Sequence, residues 1–277
     1  MAECYRHPGR DTGVSCSNCS RPICTSCMTP TPVGMRCPEC AKQKTRVQTL
    51  SSLGAEPRAT YILIGLCVIA FLGGGDFGRG GGGTLFQDYS LIGTLGPGTG
   101  IGVAEGEVWR LVTSGFLHGG ILHILFNMYL LYLLGTQLES RLGTPRFVAL
   151  YVTALLAGSF GALVQTTISP TVGASGAVFG LMGAMLVEYR RQGIDPLRSD
   201  IGTLLLLNLV ISFLPGFNIS FGGHIGGLVG GIAAALAIEQ GLRRRQAWVG
   251  YAGCLLIAGL ALAGALAIAG DPHDYGL

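Results

Sequence analysis

GASGAVFGLMGAMLV, residues 173–187, and GGHIGGLVGG, residues 222–231, decide how this chain is read. Both are apolar and rich in small residues, and each carries one reactive side chain, Ser175 or His224. A serine between glycines is unremarkable in a membrane helix. A histidine is not, because an ionisable group in a bilayer is costly and marks a functional site by default. Glycines at 176 and 180 on one segment, and at 223, 227 and 231 on the other, recur at helical spacing. Such small-residue faces permit close backbone approach. Ser175 adjoins one face and His224 the other, so pairing the faces brings a candidate nucleophile to a candidate base. The plainer reading is two packing seams with an incidental serine, and His224 weighs against it.

The surrounding composition is that of a membrane protein. Of 277 residues, 49% are hydrophobic and 12% charged, where soluble domains carry about 25% charge. Apolar segments near 59–75, 115–137, 147–168, 173–187, 201–216, 222–238 and 247–269 predict seven membrane helices. Most reach or approach the roughly 20 residues needed to span a bilayer. The first ten residues are polar, so no secretory signal is expected there, and the first apolar segment serves as anchor. Basic residues fix the orientation. Lys42, Lys44, Arg46 and Arg58 precede the first segment; Arg141 and Arg146, then Arg190, Arg191 and Arg198, then Arg243 to Arg245 occupy alternate connections. The other connections hold only Arg79 and Arg110 beside Asp76, Asp88, Glu105 and Glu107. The N-terminus is therefore expected in the cytoplasm, and the C-terminus, with Asp271 and Asp274, outside.

Depth singles out Ser175. The apolar part of 173–187 extends about 20 Å as a helix, short of a core about 30 Å thick. The helix is expected to begin below the outer surface with Ser175 in its first turn. Irregular backbone at that depth must be buried in protein or line a wet cavity, and hydrolysis needs water. His224 lies at the same end of its segment. His118, His123 and Asn127 form a further polar group. His123 and Asn127 are four apart and share a helix face. A zinc site on His118, His123 and His224 is the rival reading, disfavoured by the five-residue spacing and the lack of a nearby carboxylate. Glu139, Glu188 and Glu239 all fall at cytoplasmic ends, so a Ser–His dyad is expected in place of a triad.

Residues 1–41 are a separate unit. Cys4-x2-His7, Cys16-x2-Cys19, Cys24-x2-Cys27 and Cys37-x2-Cys40 supply eight sulfur and nitrogen ligands, enough for two tetrahedral zinc ions. A disulfide module is disfavoured on the reducing cytoplasmic side. The preferred pairing is interleaved, Cys4, His7, Cys24 and Cys27 on one ion and Cys16, Cys19, Cys37 and Cys40 on the other, with sequential pairing as the alternative. Forty residues bury little core, so metal would supply the folding energy. With every ligand position filled, the module is expected to dock a cytoplasmic protein partner or regulate. No dense basic patch accompanies it, so nucleic acid is not expected. Residues 42–58 read as a polar linker and 270–277 as a short outer tail. The glycine-rich stretch 73–83 reads as a connection after the first helix.

Taken together, these motifs resemble the rhomboid intramembrane serine proteases over residues 59–269, and the first 41 residues resemble B-box-like cross-brace zinc fingers. Trp109-Arg110, the H-x4-H-x3-N of His118, His123 and Asn127, the G-x-S-G of 173–176 and the H-x2-G-x3-G of His224, Gly227 and Gly231 carry the resemblance. It implies an all-α polytopic membrane protein: a six-helix rhomboid core plus one C-terminal transmembrane helix, preceded by the zinc-binding domain. It implies a serine endopeptidase cutting transmembrane protein substrates within the lipid bilayer. Ser175 would be nucleophile and His224 base. His123, Asn127 and the Ser175 N–H would form the oxyanion hole, with no cofactor for the chemistry. His118 would support the loop, Trp109 and Arg110 the outer connection, and Glu139 the inner end of its helix. Phe179 departs from the tyrosine common in the family. A bacterial cell membrane fits the compact Gly- and Ala-rich composition. The alternative is a catalytically inactive rhomboid-like protein that binds membrane clients; a third reading makes the zinc module the working part and the helices its anchor.

Overall fold

The computed structural model describes residues 2–31, 34–42, 56–74, 83–96, 98–213 and 219–275. It divides into two compact units, Met1–Leu53 and Gly54–Leu277. Most of the linker expected at 42–58, and most of the glycine-rich stretch at 73–83, lies outside the described residues.

The first unit has little regular structure. Strands β1 (Ala2–Cys4) and β2 (His7–Thr12) pair antiparallel, as do β3 (Thr29–Thr31) and β4 (Gly34–Arg36), and helix α1 spans Pro38–Lys42. Its buried centre is Ile23 with the sulfurs of Cys4, Cys16, Cys24, Cys27, Cys37 and Cys40. An apolar core made mostly of thiols cannot hold such a fold by burial alone.

All seven apolar segments of the second unit are helices: α2 (Arg58–Gly73), α5 (Ile121–Leu142), α6 (Thr144–Gln165), α7 (Ser175–Arg191), α8 (Asp200–Ser212), α9 (Phe221–Arg243) and α10 (Ala247–Ile268). Two short helices, α3 (Thr84–Tyr89) and α4 (Arg110–Thr113), lie in the connection between α2 and α5. Helices α5, α6, α9 and α10 are each long and apolar enough to cross a membrane; α2 and α8 are apolar but shorter. Large apolar side chains such as Ile69, Leu122, Phe126, Leu255 and Leu256 are exposed. This is the pattern of an integral membrane protein, whose outward face meets lipid.

Three helix bounds differ by five residues or more from the sequence expectation. Helix α5 starts at Ile121 and not near 115, because Gly120 takes an extended φ of 167° and residues 110–116 form the separate short helix α4 and a 3-10 turn after it. It also runs on to Leu142, where Gly143 turns out at φ 80°. Helix α9 continues to Arg243, where Glu239 pairs with Arg243 one turn on.

Helix α6 is the axis of the bundle, and α6, α7 and α9 pack against one another, with Gly158 against Gly176 and Gly180 against Ala154 joining α6 to α7. Two glycine stripes of α9 make this possible. A Cβ on Gly227 would overlap the Gly176 carbonyl, and one on Gly231 would overlap Gly180. Those contacts align α7 and α9 in parallel. The second stripe faces α6: a Cβ on Gly226 would overlap the Ala157 carbonyl, and one on Gly222 the Gly161 carbonyl. The α7 seam was expected from sequence; the α6 seam was not. Helix α10 closes the other side, with Gly264 against Phe160 of α6 and Gly253 against Ala237 of α9.

Buried charge ties the outlying parts to this core. The fully buried Glu139 of α5 accepts hydrogen bonds from Ala59 N (2.9 Å), Thr60 N (2.8 Å), Thr60 Oγ1 (2.8 Å) and Thr144 Oγ1 (2.7 Å). It thus caps the start of α2, which has no side-chain cap of its own, and satisfies donors a helix N-terminus leaves free. Arg110, also buried, donates to Glu107 Oε2 (2.7 Å) and to the Gln87 and Ser90 carbonyls (2.8 Å each). It stitches α3 to α4. Trp109 beside it stays about half exposed, at 47%. The C-terminal tail is fastened down: Thr167 N donates to the His273 carbonyl (3.0 Å) and Tyr275 N to the Gln165 carbonyl (2.8 Å).

Candidate active site and metal centres

Ser175 is the first residue of α7, so its N–H and those of the next two residues have no carbonyl one turn back to accept them. The chain reaches it through Gly173, whose φ of 130° suits glycine. Gly173 N donates to the Ser114 carbonyl at 2.9 Å, which holds this turn against the α4 connection. A Cβ on Gly173 would lie 2.7 Å from His123 Nε2 and 3.5 Å from Ser175 Oγ. The serine hydroxyl and the His123 ring therefore border one small space, which an alanine at 173 would fill.

His224 sits in the first turn of α9. That turn is fixed by Ser220, whose Oγ accepts from Gly223 N (3.1 Å), and by Gln165, whose Oε1 accepts from Gly222 N (2.9 Å). The imidazole is buried and stacks on Phe179, with ring centroids 4.0 Å apart at 15°. Phe179 is one helical turn after Ser175 on α7. His224 thus lies against the face of α7 that carries the serine. Its Nδ1 is 2.6 Å from Ser212 Oγ, at the end of α8. Among the described residues, no direct hydrogen bond joins Ser175 to His224.

His123 and Asn127 lie in the first two turns of α5. Gly119 N donates to His123 Nδ1 (3.4 Å), which leaves the Nε2 proton facing the space beside Ser175. Asn127, buried, donates one amide hydrogen to the His123 carbonyl (2.9 Å) and keeps the other. His118 lies ahead of α5, edge-on to His123 with centroids 5.1 Å apart. Both its ring nitrogens are buried without a protein partner. His118, His123 and His224 are not among the described groups whose ligand atoms converge as metal ligands do. The carboxylates are occupied elsewhere, Glu139 at α2, Glu188 with Arg141 and Arg191, Glu239 with Arg243. The polar contact that sequence reasoning missed is Ser212. It looked like one more helix hydroxyl, and only the fold brings α8 to His224.

The first unit gathers its ligands in the interleaved order. Cys4, His7, Cys24 and Cys27 converge in one cluster and Cys16, Cys19, Cys37 and Cys40 in another, each with ligand atoms within 4.8 Å of one another. Cys4 Sγ to Cys27 Sγ is 3.9 Å and Cys19 Sγ to Cys37 Sγ is 3.8 Å. A tetrahedron of sulfurs about 2.3 Å from a central zinc has edges of about 3.8 Å, whereas a disulfide needs about 2.05 Å. Charge points the same way. Burial opposes the Cys4 thiolate, but N–H groups of Arg6, Cys24 and His7 outweigh it and hold Cys4 at about 6. Burial and the Cys4 and Cys24 thiols push Cys27 up to about 11. In the second cluster the Cys37 N–H draws Cys16 down to about 6. Cys37 is pushed up to about 12 although the Cys40 N–H stabilises its thiolate, because burial and the other thiols prevail. Three thiols with an imidazole, and four thiols, can ionise together only around a cation, so these residues fit a metal ion in each cluster.

Residues 105–240 match the model of the Rhomboid domain. Rhomboid protease GluP of Bacillus subtilis is 34% identical over 186 residues, 66% of this chain and 35% of that protein. Putative rhomboid protease YdcA of Bacillus subtilis is 40% identical over 131 residues, 46% of this chain and 65% of that protein. RHOMBOID-like protein 5 of Arabidopsis thaliana is 42% identical over 130 residues, 44% of this chain and 42% of that protein. The matches thus span from about a third to just under two thirds of these relatives. The matched region runs from the α3–α4 connection through most of α9 and contains Ser175, His224, His123 and Asn127. Over residues 105–240, the membrane unit of this chain carries a Rhomboid domain.

Proposed function

We propose that the protein is an intramembrane serine endopeptidase working through a Ser175–His224 dyad. The observation that carries this reading is the seat of His224, stacked on Phe179 one turn from Ser175 on a glycine-tight α7–α9 seam. On this reading Ser175 Oγ must turn toward His224 Nε2 for the step to begin. Ser175 Oγ attacks the scissile carbonyl carbon, its proton passes to His224 Nε2, and the carbonyl oxygen becomes an oxyanion. His123 Nε2–H, the free Asn127 amide hydrogen and the Ser175 N–H are the donors for that charge. Such donors act in a dry site where each is worth a few kcal/mol. Collapse of the tetrahedral intermediate breaks the C–N bond, and His224 returns the proton to the leaving amine. Water then hydrolyses the acyl-enzyme by the same relay. The unpartnered nitrogens of His118 beside His123 are a fitting place for that water. With the carboxylates engaged elsewhere, a neutral imidazole serves as base.

Substrates on this reading are transmembrane helices that unwind readily, cut after a small residue near the outer face. The protein would lie in a bacterial cell membrane with its N-terminus cytoplasmic. Zinc ions in the two N-terminal clusters would be structural and take no part in hydrolysis, leaving that module free to bind a cytoplasmic protein. Cleavage of a reconstituted single-span substrate by wild type and by Ser175→Ala tests the proposal. Product from wild type alone supports it. Equal product from both contradicts it, and no product across several substrates favours an inactive, client-binding protein.

A further inference from the structure

We infer that Ser212 is a positioning residue that sets the tautomer of His224; this rests on the dyad reading above. A general base at His224 must present a bare nitrogen to the serine, and a neutral imidazole has only one. Which nitrogen is bare depends on what the other one bonds to. Here Nδ1 faces Ser212 Oγ at 2.6 Å, and the same Oγ lies 2.8 Å from the Asn208 carbonyl, one turn back on α8. A hydroxyl has a single hydrogen to give, and a carbonyl oxygen can only accept. The hydroxyl hydrogen therefore belongs to Asn208, and the Ser212 oxygen is left as an acceptor for Nδ1–H. That arrangement satisfies both short contacts. The reverse one, with the hydroxyl donating to a bare Nδ1, would set the Ser212 oxygen lone pairs against the Asn208 carbonyl at 2.8 Å. With the proton on Nδ1, Nε2 carries the lone pair.

The same bond serves after proton transfer. When Nε2 takes the proton of Ser175, the cation keeps its Nδ1–H bonded to the Ser212 oxygen, so the ring need not reorient between steps. Ser212 thus fills the orienting place that an acid fills in a triad, but as a neutral group, and it is buried. Phe179 fixes the plane of the ring, and Ser212 fixes its rotation within that plane.

Back-bonding of a serine to the carbonyl four residues earlier is common in helices without any catalytic purpose, so the test must separate positioning from packing. Two readouts do this. In Ser212→Ala, kcat should fall about ten- to a hundredfold with KM unchanged, and Ser212→Thr, which keeps the hydroxyl, should restore it. Nitrogen-15 spectra of histidine-labelled wild type in bilayers should show a protonated Nδ1 and a bare Nε2 at His224, and Ser212→Ala should shift population toward protonated Nε2. Protonated Nε2 in wild type, or an unchanged kcat in Ser212→Ala, overturns the inference. The spectrum of wild type decides alone if Ser212→Ala does not fold. Ser175→Ala assayed in parallel keeps the two readings apart: its full activity would refute the dyad, while the tautomer readout needs no turnover.

Discussion

At the residue scale, the decisive fact about His224 is its company. An aromatic ring lies on one face, a hydroxyl on Nδ1, and no free carboxylate waits nearby among the described residues. Phenylalanine at 179 keeps the stacking that a tyrosine would provide, so its missing hydroxyl should cost little. Phe179→Tyr is expected to leave kcat within about threefold, whereas Phe179→Ala, which removes the surface the imidazole rests on, should lower kcat at least about tenfold. Parallel kcat measurements on one reconstituted substrate check both. His123→Ala removes a donor that faces the space beside Ser175, and an oxyanion-hole donor is typically worth about 10²–10³ in kcat; a fall smaller than about threefold would remove His123 from that role. Ser175, His224, His123 and Asn127 could be singled out in sequence as candidates because reactive groups in apolar helices stand out against their surroundings. Ser212 was not, since a serine at the end of an apolar helix has many uses, and its partner is twelve residues away across a connection.

At the scale of elements, glycines and one carboxylate decide how the helices meet. The α7–α9 seam was legible because its glycines recur every four residues on both helices. The α6–α9 seam, where Gly222, Gly226 and Gly230 meet Ala157 and Gly161, escaped although those two are also four apart, because α6 carries small residues at 154, 157, 158, 161 and 162 and no single face stands out. Widening either seam should be costly. Gly227→Ala places a methyl on the Gly176 carbonyl, and overpacking of this kind costs about 1–3 kcal/mol. Its thermal midpoint in detergent should drop, and activity should drop with it, since Ser175 and His224 ride on opposite sides of that contact. An unchanged midpoint would mean the seam is looser than it looks. Glu139 acts at a distance of eighty residues in sequence. Glu139→Gln turns one accepting oxygen into a donor facing other donors, so about 2–4 kcal/mol of stability should be lost, read as a lower thermal midpoint. The start of α5 was misplaced in sequence for a related reason: residues 115–120 are apolar enough to continue a helix, but His118, Gly119 and Gly120 fold as a turn.

At the scale of the whole molecule, two units of different physics share one chain. The membrane unit is held by apolar packing and close backbone contacts and offers lipid-facing side chains outward. The N-terminal unit has sulfur where other small domains have a core, so metal and folding should be one event. Purified protein is expected to carry two zinc ions per chain. Stripping them with a strong chelator should unfold residues 1–41, seen as loss of protease resistance in that segment, while cleavage by the membrane unit persists. If chelation abolished cleavage of a substrate that a chain lacking residues 1–41 still cuts, the module would be a regulator and not a bystander. The helical state of the seven apolar segments and the interleaved ligand clusters were legible because both are written in short-range patterns: apolar run length and ligand spacing. The clamp of Arg110 on the Gln87 and Ser90 carbonyls, and the seat of the tail on Thr167, were not, because they join segments by backbone carbonyls that any sequence supplies.

The most direct test of the central claim asks whether Ser175 is a nucleophile activated by His224. Intact protein in liposomes would be treated with a fluorophosphonate probe, and the labelled peptide mapped, for wild type, Ser175→Ala and His224→Ala. Covalent label on Ser175 in wild type, none in Ser175→Ala, and little in a folded His224→Ala is the predicted result. Equal labelling of wild type and His224→Ala, or no labelling of folded wild type at all, would contradict it.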